Sequence, residues 1–466
     1  MNNRPEFTES PAAKAWHYFF KISEIPRPSS HEDKITAWLK ALSEEKNWRF
    51  KTDEIGNVAI KVPGKGKLAD SATLVLQGHL DMVCEKNIDS EHDFFNDPLK
   101  LKTDGEWVTA EGTTLGADNG VAIALALAVV QEDIKERRPI EMLFTMAEET
   151  GLKGANALDP QLIQGKTVVN IDSEEEGTFI IGCAGGEAVE VQFESLAIPP
   201  IPALQCTLTG LRGGHSGMDV GCRSNAVISA GKIIRRLPGV KVHRFTAGDK
   251  PNAIPREAVF ILSQTSPKEV IKAAEPILEA IRVNEPNAKI RFSETTTCRL
   301  LPDSLISFIC GLKNGVISMH PDFEGVVQTS TSLTVARESE EKLTLLISTR
   351  SSSETEKFDV NDMVCELAGR SGAKVVRFDC YPGWSPSKSS DILNKSIKTY
   401  QNLFGKAPKV QSIHAGLECG IIGSRIQSSE LVSMGPTIKN PHSPEERLNI
   451  ASFDRIYELL KALVQL

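Results

Sequence analysis

The stretch TLVLQGHLDMVCEK, residues 73–86, opens on an apolar run, Thr73 to Leu76, and closes on a histidine and an aspartate one residue apart. The alternation of a strand puts His79 and Asp81 on one face at the strand's end. Outward from it, NVAIKVPG (57–64), IEMLFTMAEE (140–149) and TVVNIDS (167–173) read as further strands. They alternate with an apolar helix candidate, GVAIALALAVVQED (120–133), in a βαβ rhythm that predicts a mostly parallel sheet with chemistry at its strand ends. Upstream, Ser29 stands three residues before Glu32, a capping-box pattern opening a surface helix over 29–46.

At 466 residues the chain exceeds what one core usually serves, and two domains are expected. No apolar run reaches the roughly 20 residues that span a bilayer, and the N-terminus lacks a basic flank followed by an apolar stretch; a soluble, cytoplasmic protein is expected. A net charge of −8 without acidic or basic blocks gives no reason to expect nucleic acid as a partner. Nine cysteines, odd in number and without C-x-x-C spacing, argue against a disulfide framework and a thiolate zinc site; they read as reduced and mostly buried.

After CAGGEAVEVQF (183–193) the rhythm changes. Strands CTLTGLRGG, AVFILSQ and KIRFSE surround helix candidates near 224–236 and 268–282; a helix near 303–312, strands TSLTVARES (331–339) and KLTLLISTR, a helix near 358–370 and strand KVVRFDC follow. These read as two similar α+β halves, joined by 314–332, in one inserted domain whose exit is the turn region YPGWSPSKSS (381–390). A last segment, with helix 393–405, strand 429–435 and helix 451–466, completes the first domain. The expected domains are therefore 1–184 with 387–466, and 185–386.

Acidic and histidine residues gather at strand ends. Asp118 lies in the Gly-rich turn GTTLGADNG, Glu148 and Glu149 in AEETG, Asp172 in NIDSEEEG, and His442 in the Pro-flanked NPHSPEERL. Histidine and carboxylate suit a dication such as zinc when thiolates are not used. Adjacent residues face opposite ways, so one glutamate can ligate while the other faces substrate. His79, Asp118, Glu149, Asp172 and His442 are too many for one catalytic zinc. With Asp118 bridging, each of two ions receives three side chains, and ions roughly 3.5–4 Å apart can share and activate a hydroxide.

The set H-L-D (79–81), G-A-D-N-G (116–120), E-E-T-G (148–151), I-D-S (171–173), G-G-H-S-G (213–217) and P-H-S (441–443) resembles the co-catalytic di-zinc peptidases, which include aminoacylases, glutamate carboxypeptidases and bacterial dipeptidases. Within that family HLDMVCEK, TTLGADNGVAIA, HAGLECG and GPTIKNPHSPEERL are most similar to the aminoacyl-histidine dipeptidases. The resemblance spans nearly the whole chain. It implies an α/β fold, a zinc-peptidase-like three-layer domain with a mostly parallel central sheet, plus an inserted α+β lid domain made of two similar halves.

It further implies two Zn2+ per chain, replaceable by Co2+ or Mn2+, with His79, Asp118 and Asp172 on one ion and Asp118, Glu149 and His442 on the other. Glu148 becomes the general base for a hydroxide shared by the ions, and Asp81 accepts from the second ring nitrogen of His79, fixing its tautomer. His215 is expected to steady the oxyanion; Asn225 and Arg350 to bind the substrate's backbone and terminal carboxylate; Gly416 to lie near the substrate and Glu418 to meet a free α-amino group. Asp172, where deacylases carry glutamate, resembles dipeptidase members. The implied activity is hydrolysis of small peptide substrates, unblocked dipeptides with Xaa-His such as β-alanyl-histidine preferred, with a homodimer allowed but not required for catalysis. The alternatives are an N-acyl-amino-acid deacylase or tripeptidase, separable by the need for a free α-amine, and a non-catalytic metal-dependent binding protein, against which a glutamate free of ligand duty speaks.

Overall fold

The computed structural model describes residues 7–387, 389–428 and 430–466. Residues 1–6 of the expected first domain, Lys388 of the expected exit turn and Ser429 of the expected strand 429–435 lie outside the described residues. By its contacts the chain divides into two compact units, Met1–Gly182 with Pro386–Ser412 and Leu417–Leu466, and Cys183–Ser385 with Ile413–Gly416. Residues 413–416 were expected with the catalytic segments. They group with the insertion because the His414 ring bonds Ser330 and Ala184 N–H donates to the Ala415 carbonyl.

The first unit is built on an eight-stranded mixed sheet. At its centre Leu74–His79, buried throughout, runs parallel to Ile140–Thr145 on one side and Thr167–Asn170 on the other, and Glu430–Ser433 extends the parallel set. Val58–Val62 was expected to join the βαβ rhythm, but pairs antiparallel with Ile140–Thr145. The apolar helix Ala117–Val130 is buried almost all round, as its lack of a polar face requires. Helices Ala13–Ser23 and Ile450–Leu463 pack against it, with Trp16 and Phe19 meeting Phe453.

Four short strands, Leu101–Thr103, Trp107–Ala110, Ile438–Lys439 and Arg447–Asn449, form a small separate sheet. The hairpin of its last two strands presents the loop bearing His442. The expected capping box is absent. Helix Asp33–Glu45 starts at Glu32 without a side-chain cap, because Ser29 and Glu32 are engaged elsewhere.

The second unit is a nine-stranded sheet whose recorded pairings are all antiparallel. Two strand sets of four, Leu196–Thr209, Lys241–Ala247, Ala258–Ser263 and Lys289–Leu300 in one, Gly185–Glu194, Val327–Glu338, Lys342–Ser351 and Lys374–Tyr381 in the other, are joined into one sheet where Ala247 pairs with Ala336. The expected connector 314–332 is itself a hairpin of Gly315–Met319 with the start of Val327–Glu338. Its polar sequence hides a buried strand, because Thr329, Ser330 and Thr331 pair inside the sheet with Ser351, Arg350 and Thr349. Helices Ala226–Arg235, Pro267–Arg282, Ser304–Gly311 and Glu354–Arg370 contribute Val227, Ile233, Leu278, Phe308 and Val364 to its core.

Among the described residues none of the nine cysteines is in a disulfide. Fewer are buried than expected, since Cys298 and Cys380 lie exposed on the two edge strands of the second sheet and Cys222 on a loop. Among the described residues no helix is long and apolar enough to cross a membrane.

Candidate active site

Register aligns the ends of the central strands. His79 sits opposite Thr145, and Gln77 opposite Asn170, so the chain leaves the sheet at one level toward Glu148 and Glu149 on one side and Asp172 on the other. Gly78 permits the close approach of the next element: a Cβ there would lie 2.2 Å from Asn119 Oδ1 and 2.3 Å from Ala122 Cβ. Asn119 fills that space. Its Oδ1 accepts from His79 N–H at 3.2 Å and its Nδ2 donates to the Ile171 carbonyl at 2.7 Å, so it ties the His79 strand to the segment bearing Asp172.

Asp118 then lies between two imidazoles. Its Oδ1 is 3.0 Å from His79 Nε2 and its Oδ2 is 3.1 Å from His442 Nε2. Asp172 Oδ1 is 3.6 Å from the same nitrogen of His79, and Glu149 Oε1 is 3.0 Å from the same nitrogen of His442. In two groups, His79, Asp118 and Asp172, and Asp118, Glu149 and His442, the candidate ligand atoms lie within 4.8 Å of one another. Glu148 falls in a third, with His79 and Glu149.

Asp81 stands behind His79 and in front of Glu148. Its carboxylate is 3.2 Å from His79 Nδ1 and accepts from Ser29 Oγ–H at 2.7 Å, Glu148 N–H at 3.0 Å and Glu149 N–H at 3.2 Å. Three groups that the sequence did not reveal complete the frame. Arg27, buried, donates to the carbonyls of Leu80, Asp81 and Gly116. Glu446, buried, accepts from Leu115, Gly116 and Asp118 N–H at 2.7, 2.9 and 3.2 Å, and so fixes the turn that carries Asp118. Glu32 accepts from Ala147 N–H at 2.8 Å. Glu446 left a trace in the sequence as an acid in the same Pro-flanked loop as His442, and Glu32 only as the partner of a helix cap.

The electrostatics are those of crowded carboxylates around two imidazoles. Burial and repulsion from neighbouring carboxylates, partly offset by His79, push Glu148 and Asp172 well above the usual range. Burial would raise Asp81 as well, but the bond and charge of His79 hold it at about 2. The close carboxylates of Asp118 and Glu149 lift His442 to about 11. Burial pulls His79 down, and its bonds to Asp118 and Asp81 more than reverse that. Glu149 Oε1 is buried and receives no hydrogen bond despite its closeness to His442. A divalent cation fits this donor set, since it takes carboxylate oxygen and imidazole nitrogen and compensates charge that, among the described residues, no lysine or arginine side chain pairs with there.

The second unit carries a separate polar cluster. His215 Nδ1 accepts from Gly217 N–H at 3.3 Å and Met218 N–H at 3.0 Å, which leaves the proton on Nε2. Arg350 Nη1 donates to the Tyr381 oxygen at 3.3 Å. Asn225, expected at the substrate, instead caps helix Ala226–Arg235. Its Oδ1 accepts from Val227 and Ile228 N–H and its Nδ2 donates to Leu333 O and Asn314 Oδ1, so the amide is fully engaged. Glu418, expected at an α-amino group, is wholly buried in the first unit. Its Oε2 accepts from Gln77 Nε2 at 2.7 Å and Thr145 Oγ1 at 2.6 Å, and burial raises it to about 7. Gly416 belongs to the second unit, beside Tyr381.

A parallel-centred sheet with imidazoles and carboxylates collected at its strand ends is the arrangement of a metal-dependent hydrolase. The chain belongs to peptidase family M20/M25/M40, whose family model matches residues 75–466. It is 36% identical to the cytosol non-specific dipeptidase of Escherichia coli strain K12, over 97% of this chain and 96% of that protein. Among solved structures, the aminoacylhistidine dipeptidase of Vibrio alginolyticus is similar with a TM-score of 0.89 at 35% identity, covering 99% of this chain and 98% of the other. The aminopeptidase PepT of Bacillus cereus ATCC 10987 shares the fold, with a TM-score of 0.60 at 14% identity, covering 97% and 98%.

Proposed function

We propose that the protein hydrolyses unblocked dipeptides, Xaa-His among the preferred ones, and does so in the cytoplasm without needing a second subunit. Two divalent cations, zinc first and cobalt or manganese as substitutes, would be held by His79, Asp118 and Asp172, and by Asp118, Glu149 and His442. When bound, they supply Lewis-acid activation of water at neutral pH. Glu148, outside both triads that share Asp118, takes the water's proton and passes it to the leaving amine. Its raised proton affinity suits a group that must hold a proton between those steps.

Asp81 holds His79 in one tautomer and anchors the backbone beneath Glu148 and Glu149. His215, protonated on Nε2 by its turn, donates to the developing oxyanion. Arg350 takes the terminal carboxylate with its planar fork. Asn225 supports the scaffold rather than the substrate, because its amide is already engaged inside it; Glu418 is anchored there through Oε2 by Gln77 and Thr145, while its buried Oε1 has no hydrogen-bond partner.

The observation that carries this reading is Asp118 with one oxygen directed at each imidazole. The likeness to the Escherichia coli and Vibrio alginolyticus dipeptidases over nearly the full chain supports the substrate class. The test is a cation-loaded assay against β-alanyl-histidine, a glycyl dipeptide, a tripeptide and an N-acetyl amino acid. Turnover of the two dipeptides well above the others is expected. Preference for the N-acetyl amino acid would replace the proposal with a deacylase, and preference for the tripeptide with a tripeptidase.

A further inference from the structure

In the second unit one row of side chains crosses four strands. Ser330 pairs with Arg350, Arg350 with Gly186, and Gly186 with Tyr381. Residues directly opposite in antiparallel strands project from the same face. The glycine lets the row's ends meet. A Cβ at Gly186 would lie 2.5 Å from Tyr381 Cε1 and Cζ and 2.6 Å from its oxygen, so the ring lies across the glycine and its hydroxyl reaches Arg350 Nη1 at 3.3 Å.

Two more glycines close the seat. A Cβ at Gly416 would stand 3.0 Å from the Tyr381 oxygen, and one at Gly217 would stand 2.9 Å from Arg350 Cδ. At the other end of the row His414 Nε2 lies 2.7 Å from Ser330 Oγ. The guanidinium is thus walled by neutral groups. Its Nε has no hydrogen-bond partner, and among the described residues Arg350 forms no ion pair. An arginine held by a phenol and left without a carboxylate is prepared for one from outside the chain.

Resting on the reading of Arg350 as the group that takes the substrate's terminal carboxylate, we infer that Tyr381 is a positioning residue for the peptidase reaction. Its hydroxyl, seated over Gly186 and beside Gly416, fixes the plane in which the Arg350 fork meets that carboxylate. Holding the fork beforehand removes rotamer freedom that binding would otherwise have to freeze. The loss of Tyr381 should therefore weaken capture of substrate and leave the chemical step alone.

The experiment compares wild type, Tyr381→Phe and Arg350→Gln in the cation-loaded enzyme, with a dipeptide and its C-terminal amide, alongside thermal unfolding. Tyr381→Phe keeps the ring and its packing. It is expected to raise KM for the free-acid dipeptide about tenfold, with kcat within about twofold and KM for the amide unchanged. If Arg350→Gln abolishes the preference for acid over amide while Tyr381→Phe leaves it intact, the positioning role is overturned and the reading of Arg350 stands. If Arg350→Gln also keeps that preference, the reading of Arg350 fails first. A fall in kcat at unchanged KM in Tyr381→Phe likewise overturns the inference.

Discussion

Asp81 joins parts that the chain delivers separately: the His79 ring, the Ser29 hydroxyl and the backbone beneath both glutamates. Replacing it by asparagine removes the charge that orients His79 and should lower cation affinity or turnover about 10–100-fold, by the usual effect of groups behind a ligand. Glu148→Gln acts differently: turnover should fall by at least about 10²-fold, with cation content at its wild-type level. Cation analysis beside kcat separates the two; normal kcat in Glu148→Gln, or normal cation affinity together with normal kcat in the Asp81 variant, would count against the assigned role. The His79–Asp81 pair was legible from its spacing, although the strand ends at His79 and it is the turn after it that brings the Asp81 carboxylate to the ring. Ser29 and Arg27 were not, since their partners lie 52 to 89 residues away and nothing local marks them. Ser29 and Glu32 even misled, because their spacing matches a helix cap while their oxygens serve the site.

The turn at 115–118 shows what a buried acid does for an element. Glu446 alone accepts three of its backbone N–H groups, and Asp118 has its place because of that. Glu446→Ala should destabilise the fold by about 2–4 kcal/mol, the order of cost for stranding several buried donors, and should weaken cation binding more than a surface substitution such as Glu445→Ala. Denaturant unfolding and cation titration of both variants check this; equal behaviour would contradict it. The parallel strands and the apolar helix of the first unit were readable from their runs of Val, Ile, Leu and Ala, whereas its strands Arg49–Thr52, Thr178–Cys183 and Lys409–Ile413 were not read. The strand inside 314–332 was not, because Thr and Ser occupy buried pairing positions that hydropathy reads as loop. The four-stranded sheet that presents His442 was missed for a related reason, its strands being two to four residues long.

Across the molecule, the site's charges set how stability responds to pH when cations are stripped. Glu418 and Glu446, raised to about 7 chiefly by burial, keep protons when folded that the unfolded chain has released. His442, raised to about 11 by Asp118 and Glu149, keeps its proton where an unfolded histidine has lost it. In both cases the folded state binds more protons, so stability falls as pH rises, through about 7 for the glutamates and from about 6.5 toward about 11 for the histidine. The chelated protein should therefore melt at a lower temperature at pH 8 than at pH 5.5. Added zinc, which takes neutral histidine and ionised carboxylate, should shrink that difference; a chelated protein more stable at pH 8 would contradict it.

The most direct measurement is the cation content of purified, zinc-equilibrated wild type, Glu148→Gln and Asp118→Ala, determined by elemental analysis. About two cations per chain are expected in the first two and nearly none in the third, because one aspartate completes both three-residue sets. Full occupancy in Asp118→Ala would show that the two sets do not share that carboxylate, and the proposed centre would not stand.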